Sequence, residues 1–237
     1  ASAGQGFHSN DARGTTTRLD PASGEAVDPA DPLVRSLGAG IGARLFEAGK
    51  WSASISLWQL ELDSELVFVG DAGTTEPSRE SERKGAELTA YYHFGEAWTL
   101  DLEYAVADAQ FTSADPSDPA LGDEVPGSID RVFAAGLSAR LGEGWFGSVR
   151  LRHFGPRALE ENGVVESDSS TVLNLRAGYE LERWRVTLDV LNLLDSDDHD
   201  IDYFYESQLP GESEPVADLH YHVMEPRTLR LYAGYRF

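Results

Sequence analysis

The sequence predicts an all-β chain, an antiparallel up-and-down transmembrane β-barrel of which about 9–10 strands are present here. Three observations predict it. Apolar and polar residues alternate in successive short runs, tight turns at one end of the hairpins are answered by long polar loops at the other, and four of the five tryptophans follow the tight turns. These are Trp51, Trp98, Trp145 and Trp184, and each opens an alternating run. A Trp ring has an apolar body and one N–H donor, so it settles between headgroups and hydrocarbon. Repeated at the same point of successive hairpins, it reads as a membrane girdle.

The elements follow in order. Residues 1–8 read as a strand already under way, and 37–47 as the next, with Gly38, Gly40 and Gly42 on its lumen-facing side. That glycine stripe sits inside a strand pattern, which argues against a phosphate-binding loop. Ala48-Gly49-Lys50 turns the chain into 51–70, a segment about twice the 9–11 residues a tilted strand needs to cross a membrane, and so expected to project beyond it. Strands at 80–94 and 97–111 flank the turn before Trp98; 128–141 and 145–157 flank Gly142-Glu143-Gly144; 170–182 and 184–206 flank Glu182-Arg183; and 223–237 closes the chain.

Side-chain phase supports each span, because strand residues alternate faces. With Trp98 toward lipid, Leu100, Leu102, Tyr104 and Val106 join it, while Thr99, Asp101 and Glu103 point inward. Trp184 aligns with Val186, Leu188 and Val190, leaving Arg185, Thr187 and Asp189 inside; Trp145 aligns with Val149 and Leu151, leaving Ser148, Arg150 and Arg152 inside. A two-residue turn at Glu182-Arg183 would set Glu180 opposite Arg185 and Arg176 opposite Asp189. A soluble sandwich also alternates, but has no need of an interfacial Trp at every turn.

Composition sets further bounds. No run of about 18 apolar residues occurs and mean hydropathy is negative, which excludes a membrane helix but not a barrel. The absence of cysteine fits an oxidising envelope, and the opening residues carry no leader pattern. A net charge of −22 argues against a nucleic-acid partner. Most of the acidic residues fall in the long loops, where they would attract cations or repel anions.

The C-terminal residues carry a resemblance. Asn192-Leu193-Leu194-Asp195 ends the penultimate strand, and Pro226-Arg227 opens a last strand that ends in aromatic Phe237. This looks like the end of a TonB-dependent outer-membrane receptor, with Leu194 where the family usually has Phe. Upstream, Gly6-Phe7-His8-Ser9-Asn10-Asp11-Ala12-Arg13-Gly14 is similar to the external tip of a mid-barrel strand in such receptors. The resemblance implies that residues 1–237 are the C-terminal part of a 22-stranded barrel, and neither its plug domain nor a TonB-contacting segment is recognisable in them. It implies energy-coupled uptake of a scarce solute such as a ferric siderophore, with TonB as partner of the intact receptor. Outer-membrane lipid and, through Phe237, the barrel-assembly machinery are the other implied partners. It places the short turns and the C-terminus in the periplasm and the long loops outside the cell.

Ligand contacts are expected from His8, Asp11, Arg13, Tyr203, Tyr205, His220 and His222 on external loops. Asp197, His199, His220 and His222 are candidate metal ligands, since imidazole and carboxylate suit a transition metal, but no compact ligand spacing supports them. The Asp195–Asp202 run lacks the glycine and distal Glu of a calcium loop. No cofactor is called for. A passive porin is the alternative of another class; a barrel protease using Asp197 and His199 is a more distant one, lacking a second aspartate pair. The expected activity is not enzymatic.

Overall fold

Alternation along the chain becomes the two faces of one sheet. The computed structural model describes residues 1–10, 12–19, 24, 26, 28–64, 66–69, 74–77, 79–113 and 120–237. Its elements are β1 (Ser2–Ser9), α1 (Ala12–Thr16), β2 (Leu33–Glu47), β3 (Trp51–Leu62), β4 (Leu66–Val69), β5 (Thr74–Pro77), β6 (Ser81–Phe94) and β7 (Trp98–Phe111). They continue as β8 (Arg131–Arg140), β9 (Trp145–Phe154), β10 (Ser170–Glu180), β11 (Trp184–Leu191), β12 (His199–Ser207), β13 (Val216–Val223) and β14 (Thr228–Tyr235). Ten strands form a single sheet in the order β1-β2-β3-β6-β7-β8-β9-β10-β11-β14. Every pairing is antiparallel, as an up-and-down wall requires, and β1 and β14 are its two edges.

Register lines up side chains of one character across neighbouring strands. Ile41, Leu57, Ala86 and Val106 form one row on the apolar face. The row Phe46, Ser52, Tyr91, Asp101, Gly136, Arg150 and Asn174 lies on the opposite, polar face. Leu229 and Leu231 on β14 are 69% and 73% exposed, and Ile41 is 61% exposed. An apolar face this wide, with no layer of the described residues over it, needs a lipid neighbour.

The short-turn end of that face carries the aromatic residues. Phe94 stacks between Tyr92 and Trp98 with centroids 6.0 Å from each. Trp145 meets Tyr179 at 4.7 Å and Trp184 meets Tyr235 at 4.8 Å, while Phe237 sits edge-on to Tyr235 at 5.1 Å. Trp51 pairs in register with Tyr92. All four predicted girdle tryptophans therefore share one face and one rim. Trp58, the fifth, is on the polar face between Gly40 and Gly85.

Two predicted strands are shorter than expected. The segment 51–70 does not project as one strand: β3 stops at Leu62, where the Asp63 N–H donates to the Arg35 carbonyl at 3.1 Å, and 66–69 pair with 74–77 as a separate hairpin. The segment 184–206 breaks after Leu191, because Asn192 and Asp195 adopt left-handed φ angles of 47° and 57° and end the extended run. The residues beyond form the β12–β13 hairpin. A small buried apolar cluster sits at the long-loop end of the wall, where Ala109 and Phe111 of β7 meet Val125.

Candidate functional site

The site is built from the break after β11. Asn and Asp tolerate the left-handed conformation because a short polar side chain can bond the nearby backbone. Asn192 is buried and its amide does so: Nδ2 donates to the carbonyls of Ser196 and Glu225 at 3.0 and 3.2 Å, and Oδ1 accepts from the Ser196 N–H at 3.1 Å. Its own N–H donates to Asn174 Oδ1 at 3.0 Å. Asp195 holds the start of the last strand, accepting from the Arg227 N–H at 3.0 Å and from its guanidinium at 2.6 Å. The backbone N–H of Arg227, and after it the guanidinium, hold the Asp195 carboxyl below the usual carboxylate range.

This turn releases the β12–β13 hairpin, whose register sets Tyr203 opposite His220 and Ile201 opposite His222. Tyr203, Tyr205, His220 and His222 thereby share one face. The Tyr205 and His220 rings stack at 3.8 Å, and His222 Nδ1 lies 2.7 Å from Asp200. On the opposite face His199 stacks on Tyr221 at 3.7 Å and contacts Asp202 at 2.7 Å. Arg157, from the loop after β9, reaches the same Asp202 carboxylate at 2.9 Å.

The predicted residues are thus sorted. Four of the expected ligand contacts come together on one hairpin face. His8 is exposed on β1, at the far edge of the sheet from β11 and β14. Asp11 lies outside the described residues, and of Arg13 only the backbone, in α1, is described. The candidate metal ligands are divided, with His199 and His220 on opposite faces of the hairpin. Among the described residues no group of three or more His, Cys, Asp or Glu side chains is placed to hold a metal.

The polar face of the wall carries its own ion pairs. Arg176 clasps Asp189 through two bonds of 2.6 and 2.7 Å, in the register expected from the Glu182-Arg183 turn. Arg150 reaches Asp101 at 2.7 Å across β8, where Gly136 leaves the room; a Cβ there would collide with the Asp101 carboxylate. Arg185 lies over the Phe146 ring at 4.6 Å. Below this ladder His93, Thr99, Ser138, Arg140, Ser148 and Arg176 line a groove of about 720 Å³.

Several of these residues escaped sequence reasoning. Arg157 and Asp202 join segments 45 residues apart, which no local pattern reports. Asn192 and Asp195 were visible as a motif, although the bonds they make were not.

An antiparallel wall with an uncovered apolar face, an aromatic rim and a charged polar face defines a transmembrane β-barrel protein. The chain belongs to the TonB-dependent receptor-like β-barrel family, whose family model matches residues 1–193. That family resides in the bacterial outer membrane. The fold is similar to the ferric yersiniabactin uptake receptor FyuA from Yersinia pestis, with a TM-score of 0.70 and 17% identity over 99% of this chain and 34% of that one. It is similar to the ferric-catecholate import receptor Fiu from E. coli, with a TM-score of 0.67 and 17% identity over 99% and 32% of the two chains. The copper transporter OprC gives a TM-score of 0.66 and 18% identity over 99% and 36%. The chain spans about a third of the length of these structures. No curated protein matches it in sequence.

Proposed function

We propose that residues 1–237 form the C-terminal part of the barrel of a TonB-coupled receptor that captures a scarce solute outside the cell and imports it, a ferric siderophore being the favoured class. The reading is carried by the aromatic rim at the short-turn end of an otherwise uncovered apolar face. In a receptor so oriented, Trp51, Trp98, Trp145, Trp184 and Phe237 mark the periplasmic interface. Phe237 then serves as the terminal aromatic presented to the barrel-assembly machinery, and the long loops face outward.

Within this reading Tyr203, Tyr205, His220 and His222 contact the solute, and His8, Asp11 and Arg13 are further contacts. Phenol and imidazole suit a chelate, since each offers a flat apolar face and a hydrogen-bonding edge. The polar face of the wall, with Arg150, Arg152 and Arg176, lines the lumen.

The test is uptake of radiolabelled iron chelates by cells carrying the full-length receptor, with and without TonB. Saturable uptake that disappears without TonB is expected. Uptake that is linear in concentration and indifferent to TonB would overturn the reading in favour of a passive pore. Tyr205→Ala and His220→Ala together are expected to weaken binding at least tenfold while leaving the amount of folded barrel unchanged.

A further inference from the structure

Beyond solute binding, we infer that residues 120–127, the 156–169 loop and the β12–β13 hairpin form one mechanically coupled body, joined by two buried ion-pair hubs that meet in the 156–169 loop. The first hub is Arg79. Only 8% of its side chain is exposed, and it bonds the Ser113 carbonyl at 2.5 Å, the Gly122 carbonyl at 3.0 Å and the Glu161 carboxylate at 2.6 Å. Its guanidinium also lies 4.3 Å from the Phe111 ring centroid, over the buried cluster of Phe111, Val125 and Ala109. One side chain therefore ties the entry to β6, Ser113 just after the end of β7, the 120–127 segment and the 156–169 loop.

Backbone contacts tighten that junction. The Glu124 N–H donates to the Glu161 carbonyl at 3.0 Å and the Gly127 N–H to the Ala158 carbonyl at 2.8 Å. Gly122 has φ +103°, and a Cβ on it would strike the Glu161 carbonyl, so the two loops meet main chain to main chain.

The second hub is Asp202, whose side chain is 2% exposed and accepts from Arg157 at 2.9 Å, with His199 at 2.7 Å. Arg157 also bonds the Asp200 carbonyl at 3.3 Å. Arg157 and Glu161 belong to the same small hairpin, closed by the Ala158–Glu166 bridge and by the Leu159 N–H to Val165 carbonyl bond at 2.8 Å. The tip of this hairpin grips Arg79 and its base grips Asp202. Removing the cation from a buried pair takes away much of the charge compensation of the carboxylate that remains. Opening at one hub therefore strains the hairpin that the other hub needs, and the loops open as one cooperative unit rather than singly.

Hydrogen exchange on the full-length receptor in lipid nanodiscs tests this, with heat-modifiable gel mobility confirming the barrel in each variant. Arg79→Met is expected to lower protection at least tenfold in 120–127 and 156–169, and also in 199–207, which Arg79 does not touch. Arg157→Met is expected to do the same in 199–223 and, at a distance, in 120–127. Glu161→Gln keeps the shape of the junction and supplies a milder probe of the same coupling. Losses confined in every variant to the segments in direct contact with the altered residue would overturn the inference. Because the readout needs neither solute nor TonB, it stands or falls separately from the transport reading.

Discussion

Between Trp184 and Leu191 the surroundings of a side chain follow from whether its number is even or odd; between His199 and Val223 they do not. Along β11 Trp184, Val186 and Leu188 are exposed on the apolar face, while Thr187 and Asp189 are buried on the polar face. In the hairpin a bulge between His199 and Ile201 shifts the register, and burial is set by distant partners such as Arg157. The wall obeys a local rule because each of its faces meets a uniform medium. The hairpin has no such medium on either side, so its order comes from specific bonds to other segments.

The comparison breaks most plainly if charge is tolerated equally on both faces of the wall. Leu102 sits at the middle of the apolar run of β7, from Trp98 to Val106. Leu102→Arg is expected to cost about 2–4 kcal/mol, the range for a cation near the bilayer midplane. Ser138→Arg, which adds the same side chain to the polar face in the lining of the groove, is expected to cost within about 0.5 kcal/mol. Reversible unfolding of the full-length receptor in phospholipid vesicles measures both. Equal costs would mean that the apolar face does not meet lipid.

The next test addresses the junction between the two regimes. Asn192→Ala removes four bonds of the side-chain amide and, at φ 47°, the short polar side chain that makes this left-handed conformation tolerable. A loss of about 2–3 kcal/mol is expected from the polar groups left unpaired. Hydrogen exchange in 199–223 should rise more than in β11 itself. If both rise together, the turn belongs to the wall and not to the loops.

The same division explains what could be read from sequence. Trp51, Trp98, Trp145 and Trp184 announced their face because strand alternation and interfacial chemistry are local, and the Arg176–Asp189 pair followed from a turn two residues long. The early ends of β3 and β11 were hidden for a different reason. Leu66–Val69 is as apolar as a continued strand would be, and only its pairing with Thr74–Pro77 reveals a separate hairpin. Tyr203, Tyr205, His220 and His222 could be named for their chemistry, but their common face depends on the β12–β13 register. Arg79 stood beside no motif, since its partners lie at Ser113, Gly122 and Glu161.

The smallest expected effects are in acid, and they have opposite signs in two loop regions. Asp195 has its pKa lowered by Arg227, so its contribution is present above the ordinary carboxylate pKa and lost as pH falls through the lower, folded value. Glu124 has its pKa raised, first by burial and then by Asp108 and Asp123, so ionising it opposes the folded loop. Its contribution is complete below the unfolded pKa and is lost as pH rises through the raised value. Hydrogen exchange read against Asp195→Asn and Glu124→Gln at each pH cancels the intrinsic dependence of exchange on pH. Around Arg227 the wild-type chain should be better protected than Asp195→Asn at neutral pH and should lose that advantage in acid. Around Glu124 the Gln variant should be the better protected at neutral pH, and the difference should close as pH falls. A shift of the same sign in both places would show that the acidity of the loops as a whole, and not the partners of each carboxyl, governs their response.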